Sequence, residues 1–266
     1  MKLIAISQVN EASRNIGKIL IDKYKFKKAE GSGKLPIYKK DKLVLVKCAE
    51  DVLHLGYLAE YLRPELLVIA STHKSEAGIN TLTCHSPGNW SSADLGGEKK
   101  TLAVAPALYL KEALLELKKQ KLSYEVSLEV THHGPTPNIP VIFVEVGSSK
   151  KQWQDMKACE AAADTIYNIL TKKIEKPKNI PVVVGFGGTH YAPGFTRKTL
   201  NNELIPGHIC PKYQADKLDE EIILQAFERT IPKPDFAAIE WKGLVKAQRD
   251  KIIEILDKNK IKWKKV

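Results

Sequence analysis

The 266-residue sequence lacks several features that would place it in a specialised class of protein. No apolar run approaches the roughly 18 residues needed to cross a bilayer. The N-terminal segment MKLIAISQVN has no apolar core followed by a small-residue cleavage site, so we expect no secretory signal. Hydrophobic residues make up 43% and charged residues 27%, which excludes intrinsic disorder. We therefore expect a soluble, cytoplasmic, globular protein without a membrane partner.

Cysteine is scarce, and no two cysteines are close together in the sequence. The four residues form no CxxC pair; they are Cys48, Cys84, Cys159 and Cys210. In an intracellular chain of this length, such spacing favours buried thiols over a disulfide framework or a zinc ribbon.

Arginine is also scarce, yet the chain is strongly basic. Lysine and arginine together number 42 against 31 acidic residues, which gives a formal net charge of +11. Heavy use of lysine and glutamate with only two methionines is typical of proteins from hot-growing organisms, and this accounts for part of the charge. The excess favours a polyanionic partner, and tRNA, DNA and nucleotides all remain open.

Short apolar runs alternate with helical patterns along the chain, which predicts an α/β fold. We expect one domain over residues 1–266, with a mixed, mostly parallel sheet flanked by helices; a second lobe is the alternative. The stretches Lys27–Lys34 and Thr171–Asn179 are linker-like. Predicted strands cover residues 3–9, 43–49, 66–71, 79–84, 124–131, 141–146, 181–185 and 236–240, and predicted helices cover residues 11–24, 105–119, 148–170, 216–229 and 242–258.

The C-terminal segment KNKIKWKKV is basic and contains Trp263. One interpretation is a surface that contacts RNA. The alternative is a solvated terminus whose tryptophan packs on the body of the protein. The sequence does not decide between them.

Histidines recur where predicted strands end. His73 follows LLVIAST, His85 follows INTLTC, the pair His132-His133 follows SLEVT, and His190 follows VVVGFGGT. In open α/β sheets, ligands bind outside the carboxyl ends of the strands, so we expect several of these imidazoles to meet around one cleft. A sixth histidine, His208, falls in the segment IPGHICP, which we interpret as a loop.

Imidazoles grouped in this way act as general bases or as zinc ligands. No local signature such as HExxH occurs, so any metal site must be assembled from distant segments. Glu145 in VIFVEV is the candidate carboxylate partner, with an outward-facing strand residue as the alternative. Glu129 is a weaker candidate, because the alternation in residues 124–131 places it on an exposed polar face.

Residues 185–194, GFGGTHYAPG, form a glycine-rich turn after a predicted buried strand. The third glycine of a GxGxxG fingerprint falls at His190, and no GK[ST] follows, so neither a Rossmann nor a Walker A loop is present. Backbone N–H groups in such a turn can approach an anion closely. The alternative is that the glycines serve tight packing alone.

Two polar loops complete the set of candidate segments. Thr72-His73-Lys74-Ser75 places a cation and hydroxyls beside an imidazole, which suits a phosphate or a terminal ribose. Residues 131–136, THHGPT, place two imidazoles before a rigid turn. Because adjacent residues of an extended segment point in opposite directions, we expect only one of His132 and His133 to face the cleft.

Taken together, these loops resemble those of the archaeal and plant-type D-aminoacyl-tRNA deacylases. The matching segments run in family order from Met1 to beyond residue 230; they are ASTHKSEAGINTLTCHSPGNW, SLEVTHHGPT, VIFVEVGSS, VVGFGGTHYAPGF and IPGHICPKY. The resemblance implies hydrolysis of the ester that joins a D-amino acid to the terminal adenosine of tRNA, as quality control in translation. It also implies a monomeric, zinc-dependent enzyme whose fold is similar to those of peptidyl-tRNA hydrolases and nucleoside phosphorylases.

The resemblance and the strand-end residues together give a hypothesis of mechanism. His132 or His133, with His190 and Glu145, holds the zinc ion or the attacking water. The expected substrate-binding positions follow the same loops. They are His73, Lys74 and Ser75 at the terminal nucleotide, Gly187 and Gly188 at the developing oxyanion, and Thr189 and His208 beside them.

Three other functions fit parts of the pattern. A metal-dependent peptidase or amidase uses the same His/Glu cluster but needs no basic surface. A nucleoside phosphorylase-like enzyme uses the glycine-rich loop for phosphate and acts on free nucleosides. A non-catalytic RNA-binding protein needs only the charge, and its binding survives alanine at every strand-end histidine.

Overall fold

The computed structural model describes residues 1–30, 35–76 and 78–266. Strands and helices alternate along the chain, as the sequence predicts. In chain order the strands are β1 Lys2–Ser7, β2 Lys27–Ala29, β3 Ile37–Lys40, β4 Leu43–Cys48, β5 Leu66–Lys74, β6 Thr81–His85, β7 Gly88–Asn89, β8 Thr101–Leu102, β9 Ala105–Pro106, β10 Glu125–Leu128, β11 Val141–Ser148, β12 Val182–Phe186, β13 Ile205–Cys210, β14 Thr230–Ile231, β15 Phe236–Ile239 and β16 Trp263–Lys265.

The helices connect these strands. They are α1 Glu11–Tyr24, α2 Leu58–Leu62, α3 Ala107–Lys119, α4 Lys150–Trp153, α5 Met156–Thr171, α6 Pro193–Leu200, α7 Lys212–Ala215, α8 Glu220–Glu228 and α9 Lys246–Lys258, with 3₁₀ turns at Val52–Tyr57 and Trp241–Gly243. Helix α1 begins where predicted, because the Asn10 side chain accepts a hydrogen bond from the Ser13 N–H at 3.1 Å. No helix among these described residues is long and apolar enough to span a membrane.

Eight strands form the larger sheet, in the order β10-β6-β11-β5-β1-β4-β3-β2. The central strands β4, β1, β5 and β11 are parallel, whereas β6 runs antiparallel to β11 and β3 runs antiparallel to β4. The prediction of a mixed, mostly parallel sheet flanked by helices is therefore confirmed. The assignment of residues 1–266 to one domain stays a prediction.

The two faces of the larger sheet have different partners. One face packs against α1, α3 and α5 through residues such as Ile4, Val68 and Val144. The other face buries Ile69 and Phe143 with side chains from the 3₁₀ turn that precedes α2. This second face becomes polar toward the end of β5, and the candidate site lies there.

A second, all-parallel sheet has the order β13-β12-β15-β16. One of its strands corrects the sequence interpretation, and another agrees with one of the two interpretations left open for the C-terminal segment. Residues 205–210, interpreted as a loop, are the fully buried strand β13, because their apolar side chains pack on both sides. The basic C-terminal segment ends in β16, which pairs with β15, and the Trp263 Nε1–H donates to Asp257 at 2.9 Å. The tryptophan thus packs on the body of the protein.

Other differences concern the boundaries of elements. The predicted helix over 148–170 is two helices, because Asp155 accepts hydrogen bonds from the Lys157 and Ala158 N–H groups and starts α5 afresh. The last helix begins at Lys246 rather than Lys242, after the turn at Trp241–Gly243. Part of the linker-like stretch 27–34 is strand β2, and residues 31–34 lie outside the described residues.

Candidate active site

The site is built on the polar part of the sheet face that buries Phe143. Side chains alternate between faces along a strand, so this face also receives His73 from β5, His85 from β6 and Glu145 from β11. His73 pairs in register with Gly147, and His85 pairs with Phe143, so the two imidazoles flank the Glu145 carboxylate diagonally. His73 Nδ1 lies 3.8 Å from Glu145 Oε2, and His85 Nε2 lies 3.9 Å from Oε1.

This arrangement differs from the predicted meeting of loops at one edge of a parallel sheet. His73 is near the carboxyl end of β5, but His85 ends a strand that is antiparallel to β11, so the two meet across a face. Gly147 leaves room for the contact. A Cβ atom at that position would lie 2.8 Å from His73 Cβ and 2.6 Å from Thr81 Oγ1.

Glu129 is the centre of the cluster, which corrects its predicted exposure. It follows β10, is 2% exposed, and its N–H donates to the Cys84 carbonyl. Its Oε1 lies 3.0 Å from His73 Nδ1, and its Oε2 lies 3.0 Å from His190 Nε2 and 3.5 Å from His132 Nε2. The alternation in residues 124–131 is present, but the second sheet and the loop after β12 cover the face that we expected to be solvated.

Both His132 and His133 face the cluster, contrary to the expected alternation. The rings lie 4.3 Å apart, and each is within 5 Å of the His85 ring. His133 has a left-handed backbone (φ 44°), so the segment turns here rather than continuing as a strand. The His132 and His133 Nδ1 atoms lie 2.8 and 2.6 Å from the carbonyl oxygens of Val130 and Gly134. Each Nδ1–H donates to a carbonyl, and each Nε2 is left to bind a ligand.

The glycine-rich turn after β12 brings His190 and Tyr191 to the cluster. The Val130 N–H donates to the His190 carbonyl at 2.9 Å and holds the loop in place. The Tyr191 hydroxyl lies 2.9 Å from His73 Nε2. The side chain of His190 is 34% exposed and that of His132 is 20% exposed, whereas His73 and His85 are buried. The cluster therefore opens to solvent beside His190.

Burial and mutual charge set the protonation of these groups. Burial, reinforced by neighbouring imidazoles, holds the pKa of His132 well below its ordinary value and lowers the pKa of His133 to about 3. Burial acts to raise the pKa of Glu129, but His190 and His73 beside it hold that pKa well below the usual range. Burial acts to lower the pKa of His73 and His85, but the Glu129 and Glu145 carboxylates raise both.

Three groups of side chains within the described residues have the spacing of metal ligands. They are His85/His132/His133, His73/Glu129/His190 and His85/Glu129/Glu145. The four predicted ligands are all in the cluster, but they are divided among these groups: His132 and His133 join His85, whereas His190 and Glu145 each belong to another. Neither ring nitrogen of buried His85 has a hydrogen-bond partner among the described atoms, which fits a metal ligand.

Several predicted substrate positions lie elsewhere or have other partners. His208 is fully buried in β13, where Nδ1 lies 3.0 Å from Thr131 Oγ1 and Nε2 lies 2.9 Å from the Ala103 carbonyl oxygen. Both nitrogens are thus paired with the protein, which leaves none for a substrate. The Gly187 N–H donates to the Cys210 carbonyl at 2.8 Å, so it is not available to an oxyanion.

The remaining predicted positions border the cluster. Lys74 is exposed at the end of β5, directly after His73, and the Ser75 N–H donates to the Ser148 carbonyl. Gly188 has a positive φ (89°), and the exposed Thr189 links it to His190.

Three cluster members had no role in the predicted mechanism. Glu129 was assigned to an exposed face, and Tyr191 carried no signal beyond its position next to His190. His85 had the same strand-end signal as His73, so the repetition of histidines was sufficient to find it. The signal for Glu129 was its position three residues before His132 at the end of a strand.

Comparisons with known proteins agree with the resemblance in the sequence. The model of a family described as D-aminoacyl-tRNA deacylase matches residues 60–264. A D-aminoacyl-tRNA deacylase of Thermococcus kodakarensis is 36% identical over 91% of this chain and 92% of its own length. One from Pyrococcus abyssi is 37% identical over the same shares, and one from Methanosarcina mazei is 41% identical over 79% of this chain and 70% of its own length.

The fold has a close match among solved structures. The crystal structure of a conserved protein of unknown function superposes with a TM-score of 0.88 at 28% identity and covers all of this chain and 95% of its own. Matches to nucleoside phosphorylases are too weak to bear on function, and the similarity to peptidyl-tRNA hydrolases stays a prediction. By its family model and its relatives, this chain belongs to the D-aminoacyl-tRNA deacylase family.

Proposed function

We propose that this chain hydrolyses the ester bond of D-aminoacyl-tRNA, releasing a free D-amino acid and tRNA, at the cluster around Glu129. The observation that carries the proposal is the cluster itself, in which five imidazoles and two carboxylates lie close together and two of the imidazoles are partly exposed. The five histidines are His73, His85, His132, His133 and His190. Deacylation of an activated ester needs a positioned water, a base and a proton donor. These side chains can position the water and can act as the base and as the proton donor.

The group His85/His132/His133 is the best candidate for holding zinc. Three neutral imidazoles are a common ligand set for catalytic zinc. The lowered pKa values of His132 and His133 favour the neutral form of imidazole that a metal requires. Their Nδ1–H groups donate to backbone carbonyls, which leaves Nε2 of each ring as the nitrogen for the metal. When bound, zinc supplies Lewis-acid polarisation and lowers the pKa of water.

His190 is placed to act as the general base. Its Nε2 is held by Glu129 Oε2, so Nδ1 is the nitrogen left to receive a proton from the attacking water. The carboxylate behind the ring fixes its orientation and stabilises the imidazolium that forms. The same proton then passes to the 3′ oxygen of the terminal ribose as the ester bond breaks.

Residues that border the cluster provide the substrate contacts. We propose that Lys74 and Ser75, at the end of β5 after His73, hold the terminal nucleotide. The protein works as a monomer in the cytoplasm, where its aminoacylated substrate is made. The monomeric state is proposed from the resemblance to the family, and the cytoplasmic location from the nature of the substrate.

The decisive experiment is a time course of deacylation on matched D-Tyr-tRNA and L-Tyr-tRNA, with and without prior chelation. We expect rapid loss of the D-ester alone, abolished by the chelator and restored by zinc. Activity that survives chelation assigns water activation to His190 and Glu129 without metal. If neither ester is cleaved faster than in buffer, the proposal is wrong, and peptides and free nucleosides become the substrates to test.

A further inference from the structure

The C-terminal tenth of the chain carries a large part of its positive charge. Residues 240–266 contain nine basic and four acidic residues, a net charge of +5 out of +11 for the whole chain. Two of the four carboxylates have other roles. Glu240 is turned toward the backbone of Gly188 and Gly194, and Asp257 accepts the hydrogen bond from Trp263. The segment therefore presents mostly uncompensated cations.

The fold gathers part of this charge around one aromatic ring. The Trp241 ring has the Arg249 guanidinium 4.5 Å from its centroid and the Lys265 ammonium 5.1 Å from it. Lys242 follows the tryptophan, and Lys246 begins α9; both are exposed. None of these four cations forms an ion pair with any acidic group that the structure describes. We call these five residues the C-terminal basic surface.

The C-terminal basic surface abuts the loop that leads into the site. Strands β12, β15 and β16 are parallel, so their carboxyl ends lie on the same side of the second sheet. Lys265, the turn after β15 and the glycine-rich loop after β12 are therefore found together on that side. The turn touches that loop directly, because a Cβ atom on Gly243 would lie 2.6 Å from the Gly188 nitrogen. Gly188 is two residues from His190, at most about 7 Å along the chain.

This position matters because the cluster is open to solvent at His190, whose side chain is 34% exposed. An ester that approaches the cluster at His190 lies beside the 187–189 loop, and the polynucleotide attached to it extends from the same side. We propose that the C-terminal basic surface binds the phosphate backbone of the tRNA acceptor end and seats the ester at His190. The inference rests on the proposed function, since it locates the macromolecular part of that substrate.

Binding to phosphates through lysines is strong at low salt and weakens steeply as salt is added. The slope of log K against log salt concentration is about −0.7 to −0.9 for each phosphate neutralised. Such binding carries no base specificity, which suits an enzyme that must accept many tRNAs. Lys242, Lys246 and Lys265 are exposed and have no ion-pair partner among the described residues, so their ammonium groups can make such contacts. Arg249 is partly engaged, since it donates to the Trp241 and Leu244 carbonyls.

The test uses two triple variants of equal charge change. One carries K242E, K246E and K265E in the C-terminal basic surface. The control carries K25E, K27E and K28E, three exposed lysines around β2 at the far edge of the larger sheet. For each we would measure binding of uncharged tRNA across salt concentrations, and kcat and KM for D-Tyr-tRNA and for D-tyrosyl-adenosine, which lacks the polynucleotide.

We expect the first variant to raise KM for D-Tyr-tRNA at least tenfold at 0.1 M salt and to lower the slope of log K against log salt by about 2, with kcat unchanged. Hydrolysis of D-tyrosyl-adenosine should be unaffected, which shows that the site is intact. The control should stay within twofold of the parent protein. Equal losses in both variants, or none in the first, would overturn the inference. If the parent protein cleaves no D-ester, the proposed function fails, whereas the tRNA-binding measurement still tests the surface.

Discussion

At the scale of single residues, three of the histidines, His132, His133 and His190, each have one ring nitrogen held by a neighbouring acceptor. Backbone carbonyls hold His132 and His133, Glu129 holds His190, and Tyr191 lies beside His73. This arrangement fixes tautomers before any ligand arrives, so little reorganisation is needed at the moment of reaction. Replacing one ring therefore affects chemistry more than binding.

The clearest residue-level prediction concerns His190. His190→Ala removes the proposed base while leaving the basic surface untouched, so kcat for D-Tyr-tRNA should fall by about 10²–10⁴ with KM changed little. His54→Ala, at an exposed histidine before α2, is the matched control and should leave kcat unchanged. Near-normal turnover in His190→Ala would remove this residue from the mechanism.

A second residue-level prediction concerns stability. Burial lowers the pKa of His208 to about 4, against 6.5 for an unperturbed histidine. Between these values the unfolded chain binds a proton that the folded protein excludes. The stabilisation from neutral His208 is thus complete above about pH 6.5 and is lost as the pH falls toward 4, by about 3 kcal/mol.

The measurement is denaturant unfolding at pH 7 and pH 4.5, with a chelator present throughout. His208→Gln should be less stable than the parent at pH 7, yet it should lose less stability on acidification. His54→Gln should retain the parent's pH dependence. Parallel curves for all three proteins would show that His208 does not contribute to acid sensitivity.

At the scale of elements, apolar periodicity located most strands and helices because burial dictates it. It could not locate what depends on contacts between distant segments. The polar face of residues 124–131 looked solvated because the sequence does not show that Ser127 meets the Tyr191 carbonyl and Glu129 meets His190. Strand β13 was missed because Pro206 and Gly207 suggested a loop, although β12 pairs with it.

The interrupted helix gives a prediction at this scale. Asp155 caps α5 through the N–H groups of Lys157 and Ala158, and it also accepts the Tyr124 hydroxyl at 2.8 Å. Asp155→Ala should lower the free energy of unfolding by about 1–2 kcal/mol, since a cap and a hydrogen bond are both lost. Activity at low temperature should not change.

Two companion variants separate these contributions. Asp155→Asn retains a good capping side chain, so it should recover most of the stability. Tyr124→Phe removes only the hydroxyl contact. Equal stability of Asp155→Ala and the parent protein would mean that α4 and α5 are set apart by packing alone.

At the scale of the whole molecule, the cluster joins segments from both sheets. His73, His85 and Glu145 come from the larger sheet, and His190 comes from the loop after β12 in the second. A ligand that contacts His190 together with a residue of the larger sheet therefore stabilises contacts between the sheets. The residue types of this site could be predicted from the sequence, but their grouping could not, because it depends on which sheet face they share.

Zinc is expected to stabilise the native fold, because His85, His132 and His133 come together only in the folded chain. An ion that binds the native protein and not the unfolded chain adds RT ln(1 + [L]/Kd), about 2.7 kcal/mol at one hundred times Kd. For a chain of this length, that corresponds to an increase in Tm of about 5–10 °C. Thermal unfolding of the chelated protein, followed by zinc addition, measures it directly. His85→Ala should abolish the increase, because His85 belongs to the proposed ligand group, whereas His54→Ala should retain it. An equal increase in both variants would place the ion elsewhere and leave the cluster to act through His190 and Glu129 alone.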